Sequence, residues 1–415
     1  MPLPDLIEIS PLTSPVTAHI TVPGSKSITN RALILAALAE KQTTLTGALW
    51  SEDTQIMVEA LQALGFSVEV SEDASEVSNR TITVCGEGGR IPKMPEEIFV
   101  GNAGTAARFL AAFVCLGDGS IKLHGIDRMH ERPQFELFQA LRMLGYQVDA
   151  PDDKLPAVIH GTGSRKASCK VSLSESSQFA SALLLCADAG GWSVNFADAN
   201  LDEAPYARMT QELIDGFPKS GGTFSIEPDA SSGSYFLGAN SLGSDVKVVN
   251  WPLTGWQIDS QFARFISAPR EVSRQTDLGD SIMTSIVLAP LADRPTSFTD
   301  LGRLRVQECE RVQALCTELT KCSAVIREEG DTLHVEPLPA LHGAQIDTYN
   351  DHRMAMSFAL LGIKVPGIRL RDPSCVKKTF PNFFQKLAAA PPDGLGVMIQ
   401  DADGCSLSGE DLFAV

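Results

Sequence analysis

Lys26 and Arg31 stand at the entrance of an apolar run, in the stretch VPGSKSITNRALILAALAE, residues 22–40. Pro23 and Gly24 break regular structure, and the run from Ala32 to Ala39 is a strong helix former. A Gly-Ser-Lys-Ser turn feeding a helix N-terminus is suited to holding an anion, through free amides and the positive end of the helix dipole. A nucleotide P-loop is excluded, because G-x-x-x-x-G-K-[ST] requires glycine where this chain has Ile20 and Ser25. Two readings stand on these residues alone: a holder of phosphate or carboxylate, or a capped surface helix with solvated charges.

The same grammar recurs. A polar or glycine-containing loop precedes a helix of small and medium apolar residues at SKSITNRALILAALA (from 25), GNAGTAARFLAAFV (from 101) and SESSQFASALLLCA (from 174). It returns at DASSGSYFLGAN (from 229), DLGDSIMTSIVLAPLA (from 277) and NDHRMAMSFALLG (from 350). Strand-like runs such as TITVCG (81–86) and VKVVNW (246–251) lie between them. With Ser27, Gly104, Ser177, Ser232, Asp280 and Asp351 as anchors, the gaps are 77, 73, 55, 48 and 71 residues. Six copies of one strand-and-helix module imply two domains of three, and the gap of 48 predicts a pared-down fifth copy. Helix starts aimed at one place would favour phosphate and carboxylate. Lys26, Arg31, Arg132, Arg311, Arg353, Lys377 and Lys378 are then candidates for a cationic pocket, with Asp280 and Glu308 as proton carriers.

Such a pocket would sit on an acidic protein. The 415 residues carry a net charge of −17, which argues against a nucleic-acid or anionic-membrane partner. No run reaches membrane-spanning length, and MPLPDLIEIS has no leader-like pattern. The nine cysteines are scattered without C-x-x-C spacing, which predicts reduced thiols and a cytoplasmic protein. The seven histidines show no ligand spacing, so no metal site is indicated.

The chain resembles the enolpyruvyl transferase family. The stretches that carry the likeness are PGSKSITNRA, GNAGTAARFL, DRMHERP, SSQFASALL, DASSGSYFL, RVQECER, YNDHRMAMSFAL and DPSCVKKTFPNFF, in family order from about residue 10 to 387. The tail from about 388 is unmatched and expected to be partly mobile. The resemblance implies an α/β fold of two inverse α/β barrel domains, each of three βαβαββ-like repeats. The domains would be 19–229, and 1–18 with 230–415, with the substrates in the cleft between. It implies transfer of the enolpyruvyl group of phosphoenolpyruvate to a hydroxyl of a shikimate-type carboxylated acceptor, without metal or organic cofactor, by a monomer.

Matched residue by residue, the family's phosphoenolpyruvate clamp corresponds to Lys26, Arg132, Gln178, Arg311, Arg353 and Lys378, with backbone at Gly104 and Thr105. Arginine forks suit both anionic groups of that substrate. The resemblance gives Ser27 and Arg31 the acceptor's carboxylate. It gives Asp280 the proton of the attacking hydroxyl, and Glu308 a place near the phosphoenolpyruvate methylene. Lys26 and Lys378 are further proton-transfer candidates, and Gln178 and Asp280 also belong to the acceptor side.

Around the acceptor's phosphate the pattern departs. Ser176, Ser177 and Tyr206 match the family, but LDEAPY puts Glu203 in place of a serine and RVQE puts Gln307 in place of a lysine. A carboxylate within ~4 Å of a phosphate repels it by several kcal/mol at intermediate dielectric. Either Glu203 turns away, or the acceptor lacks that phosphate and the chain is a specialised paralogue acting on a non-phosphorylated cyclitol. Among rivals, the UDP-N-acetylglucosamine enolpyruvyl transferases carry a reactive cysteine in the loop that here reads DRMHERP, which has none. RNA 3'-terminal phosphate cyclases need a nucleotide site and an RNA-tolerant surface. A non-catalytic sensor would not need Lys26, Asp280, Glu308 and Lys378 together.

Overall fold

The computed structural model describes residues 3–172, 176–197, 204–266 and 270–414. All six loop-then-helix stretches form helices: Lys26–Leu38, Gly104–Phe113, Ser177–Gly190, Ala230–Leu237, Ile282–Leu288 and His352–Gly362. Most of their residues are apolar or small and lie buried, so they are core rather than surface elements. Ile28 to Ala37 are buried without interruption, as are all residues of Gly104–Phe113 and His352–Gly362. The sheets lie outside them, and their strands alternate: Thr17–Ile20 runs exposed, buried, exposed, buried. Buried helices inside and half-solvated sheets outside make an inverse α/β barrel type.

The chain divides into two compact units, Gly24–Glu227, and Met1–Pro23 with Pro228–Val415. In the first, Gly222–Ser225 pairs in parallel with Gln42–Leu49, which continues antiparallel through Asn79–Cys85 to Val68–Glu72. Glu97–Phe99, Asp118–His124, Ala157–Thr162 and Gln147–Asp149 repeat that plan, and among the described residues of the third copy Ala167–Val171 and Trp192–Phe196 form its parallel pair alone. The helices Lys26–Leu38, Gly104–Phe113 and Ser177–Gly190 pack on one another.

The second unit repeats the arrangement. Glu271–Ser273, Thr296–Thr299, Thr332–Glu336 and Val325–Glu329 form one complete sheet. Gln345–Asp347, Ile368–Arg371, Leu6–Ile9 and Ile399–Asp401 form another, in which the chain's start closes the last copy. Thr17–Ile20 and Asp245–Val248 form a lone parallel pair. That pairing holds Thr17–Ile20 with the C-terminal half, and the unit boundary falls at Pro23/Gly24 where 18/19 is expected from the sequence.

Two expectations are corrected. The shortening falls on the fourth copy, not the fifth: after Ala230–Leu237 the described residues make a 3-10 turn at Gly238–Leu242, the strand Asp245–Val248 and a second 3-10 turn at Ile258–Arg264, with no hairpin among them. The fifth copy has its full four-stranded sheet. The tail is built in rather than mobile. Ile399–Asp401 pairs with Leu6–Ile9, and Leu395, Val397, Leu412 and Ala414 are buried.

Candidate active site

Within the Gly24–Glu227 unit, the opening turn is fixed by backbone. Gly24 N–H donates to Asn79 Oδ1 (2.9 Å), Ser25 N–H donates to Glu227 O (2.9 Å), and a Cβ on Gly24 would lie 1.9 Å from Gly47 O. Ser25 gives the helix no side-chain cap, so the capped surface helix does not apply. Lys26, the first helical residue, pairs through Nζ with Asp53 Oδ2 (3.1 Å) on the Glu52–Ala63 helix.

Arg31, one turn further on, points into the unit and is 1% exposed. Its Nε donates to Thr210 Oγ1 (2.7 Å), Nη1 to Ser27 O (2.8 Å), and Nη2 to Ser181 Oγ (3.0 Å) and Tyr206 O (3.4 Å). The guanidinium also sits over the Phe109 ring, 5.1 Å from its centroid. Burial lowers its pKa to about 10 against the opposing pull of Tyr206, so it is charged at neutral pH. Four of about five N–H donors thus serve the protein. Arg31 is a strut joining Ser27 to the Tyr206 segment.

A second cluster forms where two helices begin. Gln178 Nε2 donates to Thr105 Oγ1 (3.3 Å), its Oε1 accepts from Arg108 Nη1 (3.3 Å), and its N–H donates to Ser176 Oγ (3.3 Å). Arg132 Nη1 donates to Asn102 O (3.2 Å). Gly104 leaves the room for this: a Cβ there would stand 2.4 Å from Arg108 Nη1 and 2.6 Å from Arg132 Nη2. Gly104→Ala should therefore separate stability from binding. Alanine favours a helix by up to about 1 kcal/mol, so the thermal midpoint should hold or rise. Displacement of the two guanidinia should weaken binding of an anionic ligand at these helix starts about tenfold. Ser177 is buried at the start of its helix, and Tyr206 is half-buried. Glu203 lies outside the described residues.

In the other unit an alternating ion network forms. Asp280 Oδ1 meets Arg274 Nη2 at 2.9 Å, and Oδ2 meets Arg353 Nη2 at 3.1 Å. Burial works to raise this carboxyl, but Arg353, Arg274 and Arg311 outweigh it and hold it well below the usual carboxylate range. Arg311, 1% exposed, forks onto Asp351 (Nε to Oδ2 2.6 Å, Nη2 to Oδ1 3.2 Å). It also meets Glu308 Oε2 at 2.8 Å and Gln307 Oε1 at 2.5 Å. Asp351 further caps the His352–Gly362 helix by accepting from Arg353 N–H (2.9 Å). Tyr235 Oη accepts from Arg353 Nη1 (3.4 Å), and burial pushes its pKa up to about 12 against that cation, so the phenol is neutral. Lys378 is buried at the end of the Pro373–Lys378 turn. Phe380, Phe383 and Phe384 follow it, and the first two pack on Phe236 at 5.9 and 5.6 Å between ring centroids. The aromatic cluster anchors the segment that carries the lysine.

Within the Gly24–Glu227 unit, the cations gathered at helix starts suit an anionic ligand. Within the other unit, Asp280 is a carboxylate held ionised between arginines. A family model described as EPSP synthase (3-phosphoshikimate 1-carboxyvinyltransferase) matches residues 12–218 and 197–387. The chain belongs to the EPSP synthase family. Relatives named 3-phosphoshikimate 1-carboxyvinyltransferase include one from Rhizobium leguminosarum bv. trifolii, 37% identical over 96% of this chain and 99% of its own. Others come from Opitutus terrae (37%; 94% and 98%) and Serratia proteamaculans (38%; 90% and 96%). An EPSP synthase structure from Acinetobacter baumannii superposes with a TM-score of 0.73 at 23% identity, covering 95% of this chain and 100% of that one.

Four residues that contact or hold the predicted site residues are not singled out in the sequence reading above: Asp53, Arg108, Asp259 and Arg274. Arg108 stood within GNAGTAARFL and could have been singled out as a cation one turn into a predicted buried helix. Asp53 reads as an ordinary first-turn acid, Asp259 lies in the short 3-10 turn Ile258–Arg264, and Arg274 follows the strand Glu271–Ser273, none of them in a stretch with a readable period.

Proposed function

We propose that this EPSP synthase family member transfers the enolpyruvyl group of phosphoenolpyruvate to a hydroxyl of shikimate 3-phosphate, with release of phosphate. The observation that carries the reading is Asp280, an ionised carboxylate pinned on both oxygens by arginines and poised to accept a proton. Phosphoenolpyruvate falls to Lys26, Arg132, Gln178, Arg311, Arg353 and Lys378, with the amides of Gly104 and Thr105. The acceptor falls to Ser27, Ser176, Ser177, Gln178, Tyr206 and Gln307, with Arg31 ordering Ser27 and the Tyr206 segment from beneath.

The chemistry is an addition followed by an elimination. Glu308, assisted by Lys26 or Lys378, delivers a proton to C3 of phosphoenolpyruvate, and C2 becomes electrophilic. The acceptor's hydroxyl oxygen bonds to C2 as its proton passes to Asp280. In the tetrahedral adduct the C2–O bond to phosphate then breaks, a C3 proton returns to the protein, and the vinyl group is restored. Preorganised cations stabilise the charge that builds on the departing phosphate.

A non-phosphorylated acceptor is not favoured. The relatives that match nine-tenths or more of the chain are named for 3-phosphoshikimate. Gln307 turns its carbonyl to Arg311, and its amide nitrogen is a donor of the kind a phosphate accepts from. Phosphate release, measured with phosphoenolpyruvate and either shikimate 3-phosphate or shikimate, tests this. Expected is a kcat/KM at least about 100-fold higher with the phosphorylated acceptor, since a site built for a group discriminates strongly against its absence. Turnover confined to shikimate would overturn it. The reading also takes the protein as a cytoplasmic monomer, as its scattered free thiols suit a reducing compartment.

A further inference from the structure

Asp280 has two arginine neighbours, and the reading above gives only Arg353 to a substrate. Arg274 is 9% exposed, and Asp280 is its only ion-pair partner among the described residues. Its Nε is buried and meets no hydrogen-bond partner there. A guanidinium so placed is costly to desolvate unless it acts on the carboxylate it touches. The local chain fixes it: Arg274 N–H donates to Thr299 O (3.1 Å), and Ser273 N–H donates to Asp277 Oδ2 (2.8 Å), closing the turn that leads to Asp280. Buried Asp259 accepts from Gly279 N–H (2.7 Å), Ser281 N–H (3.2 Å) and Ser281 Oγ–H (2.6 Å). The backbone on both sides of Asp280 is thereby held by Asp259, and its side chain by Arg274.

We propose that Arg274 is a positioning residue for the proton acceptor: it pins Oδ1 of Asp280, while Oδ2, held here by Arg353 (3.1 Å), turns to the reacting hydroxyl when phosphoenolpyruvate takes that arginine. The other charged groups facing Asp280 are Arg353 from the His352–Gly362 helix, Arg311 from the Arg311–Lys321 helix, and Glu308 just before it. Asp259 is a further buried acid nearby, its oxygens taken by Gly279, Ser281 and Ser231. Arg353 and Arg311 are both claimed by phosphoenolpyruvate in the proposed reaction, so Arg274 is the cation that stays with Asp280 when that substrate binds. The inference rests on Asp280 as the base.

The test uses the full-length enzyme with R274Q, R274K and D280N, read by phosphate release against pH and by carbon-13 NMR of aspartate-labelled protein. R274Q should lower kcat about tenfold or more with the phosphoenolpyruvate KM within about threefold, and should move the acid limb of kcat up by about one pH unit. R274K, which keeps the charge, should leave that limb in place and restore most of kcat. In the D280N background R274Q should add no further loss. The Asp280 carboxyl resonance, assigned by its absence in D280N, should titrate at higher pH in R274Q. That titration needs no turnover, so an inactive wild-type protein would sink the proposed reaction while the Arg274–Asp280 coupling was still decided. An unmoved acid limb and titration in R274Q would overturn the proposal. So would a raised KM at unchanged kcat in R274K, which would make Arg274 a substrate ligand.

Discussion

Asp280→Asn should lower kcat by about 10²–10⁴-fold while the KM for phosphoenolpyruvate stays within a few-fold, the signature of a lost proton acceptor rather than a lost ligand. Asparagine keeps the shape and one acceptor oxygen, so one of Arg274 and Arg353 retains an acceptor while the other loses its own. The sign of the pH effect follows from the held carboxylate. Because its pKa lies below the usual range, wild-type Asp280 is ready as a base throughout the neutral region, and activity that depends on it fails only in strong acid. D280N should flatten that acid limb. Stopped-flow or steady-state phosphate release across pH checks both expectations. A D280N enzyme with near-normal kcat would remove Asp280 from the chemistry.

Arg311→Met should be the most destabilising single change in the network. Arg311 is fully buried between Asp351, itself fully buried, and Glu308. Removing the cation leaves those acids without their main counter-charge, at a cost of about 3–5 kcal/mol against a total stability of about 5–15 kcal/mol. Asp351 also caps the His352–Gly362 helix, so the loss spreads to the start of a core element. The carboxyl of Asp280 is held down partly by Arg311, which sets the linkage: a depressed carboxyl adds stability that is complete above the ordinary carboxylate range and is lost as pH falls through the native value. R311M should consequently begin to unfold at higher pH than wild type. Denaturant midpoints at pH 7 and pH 5 check this, with Arg327→Gln as a control. Arg327 pairs with Glu329 on the exposed surface, and its loss should leave the midpoint where it is.

How much of this was legible beforehand depends on whether a feature was local. The six core helices could be read because each is written in one stretch: a loop of polar or small residues and then a run of mostly apolar or small residues. The candidate cations and acids could be listed because they sit at those helix starts or in the quoted family stretches. Arg274 could not, because its meaning is a contact with Asp280 made by a turn whose shape depends on Ser273 and Asp277, and no periodicity announces it. Asp259 is harder still, since it works through the amides of Gly279 and Ser281 from a different segment. Arg31 shows the opposite limit. Its motif was plain, yet only the fold reveals that Thr210, Ser181 and the Tyr206 carbonyl occupy most of its donors. The misplaced short copy has a similar cause: the gap between anchors measured the length following Ser232, which belongs to the fourth module, not the fifth.

The central claim is the addition–elimination transfer, and proton exchange at one carbon tests it most directly. The full-length protein, phosphoenolpyruvate and shikimate 3-phosphate would be incubated in heavy water, with the vinyl protons followed by NMR. C3 must pass through a methyl stage, so the account predicts a shikimate-type enolpyruvyl product whose vinyl group carries deuterium, formed together with inorganic phosphate. A product with an unlabelled vinyl group, or no product while phosphoenolpyruvate binds, would contradict it.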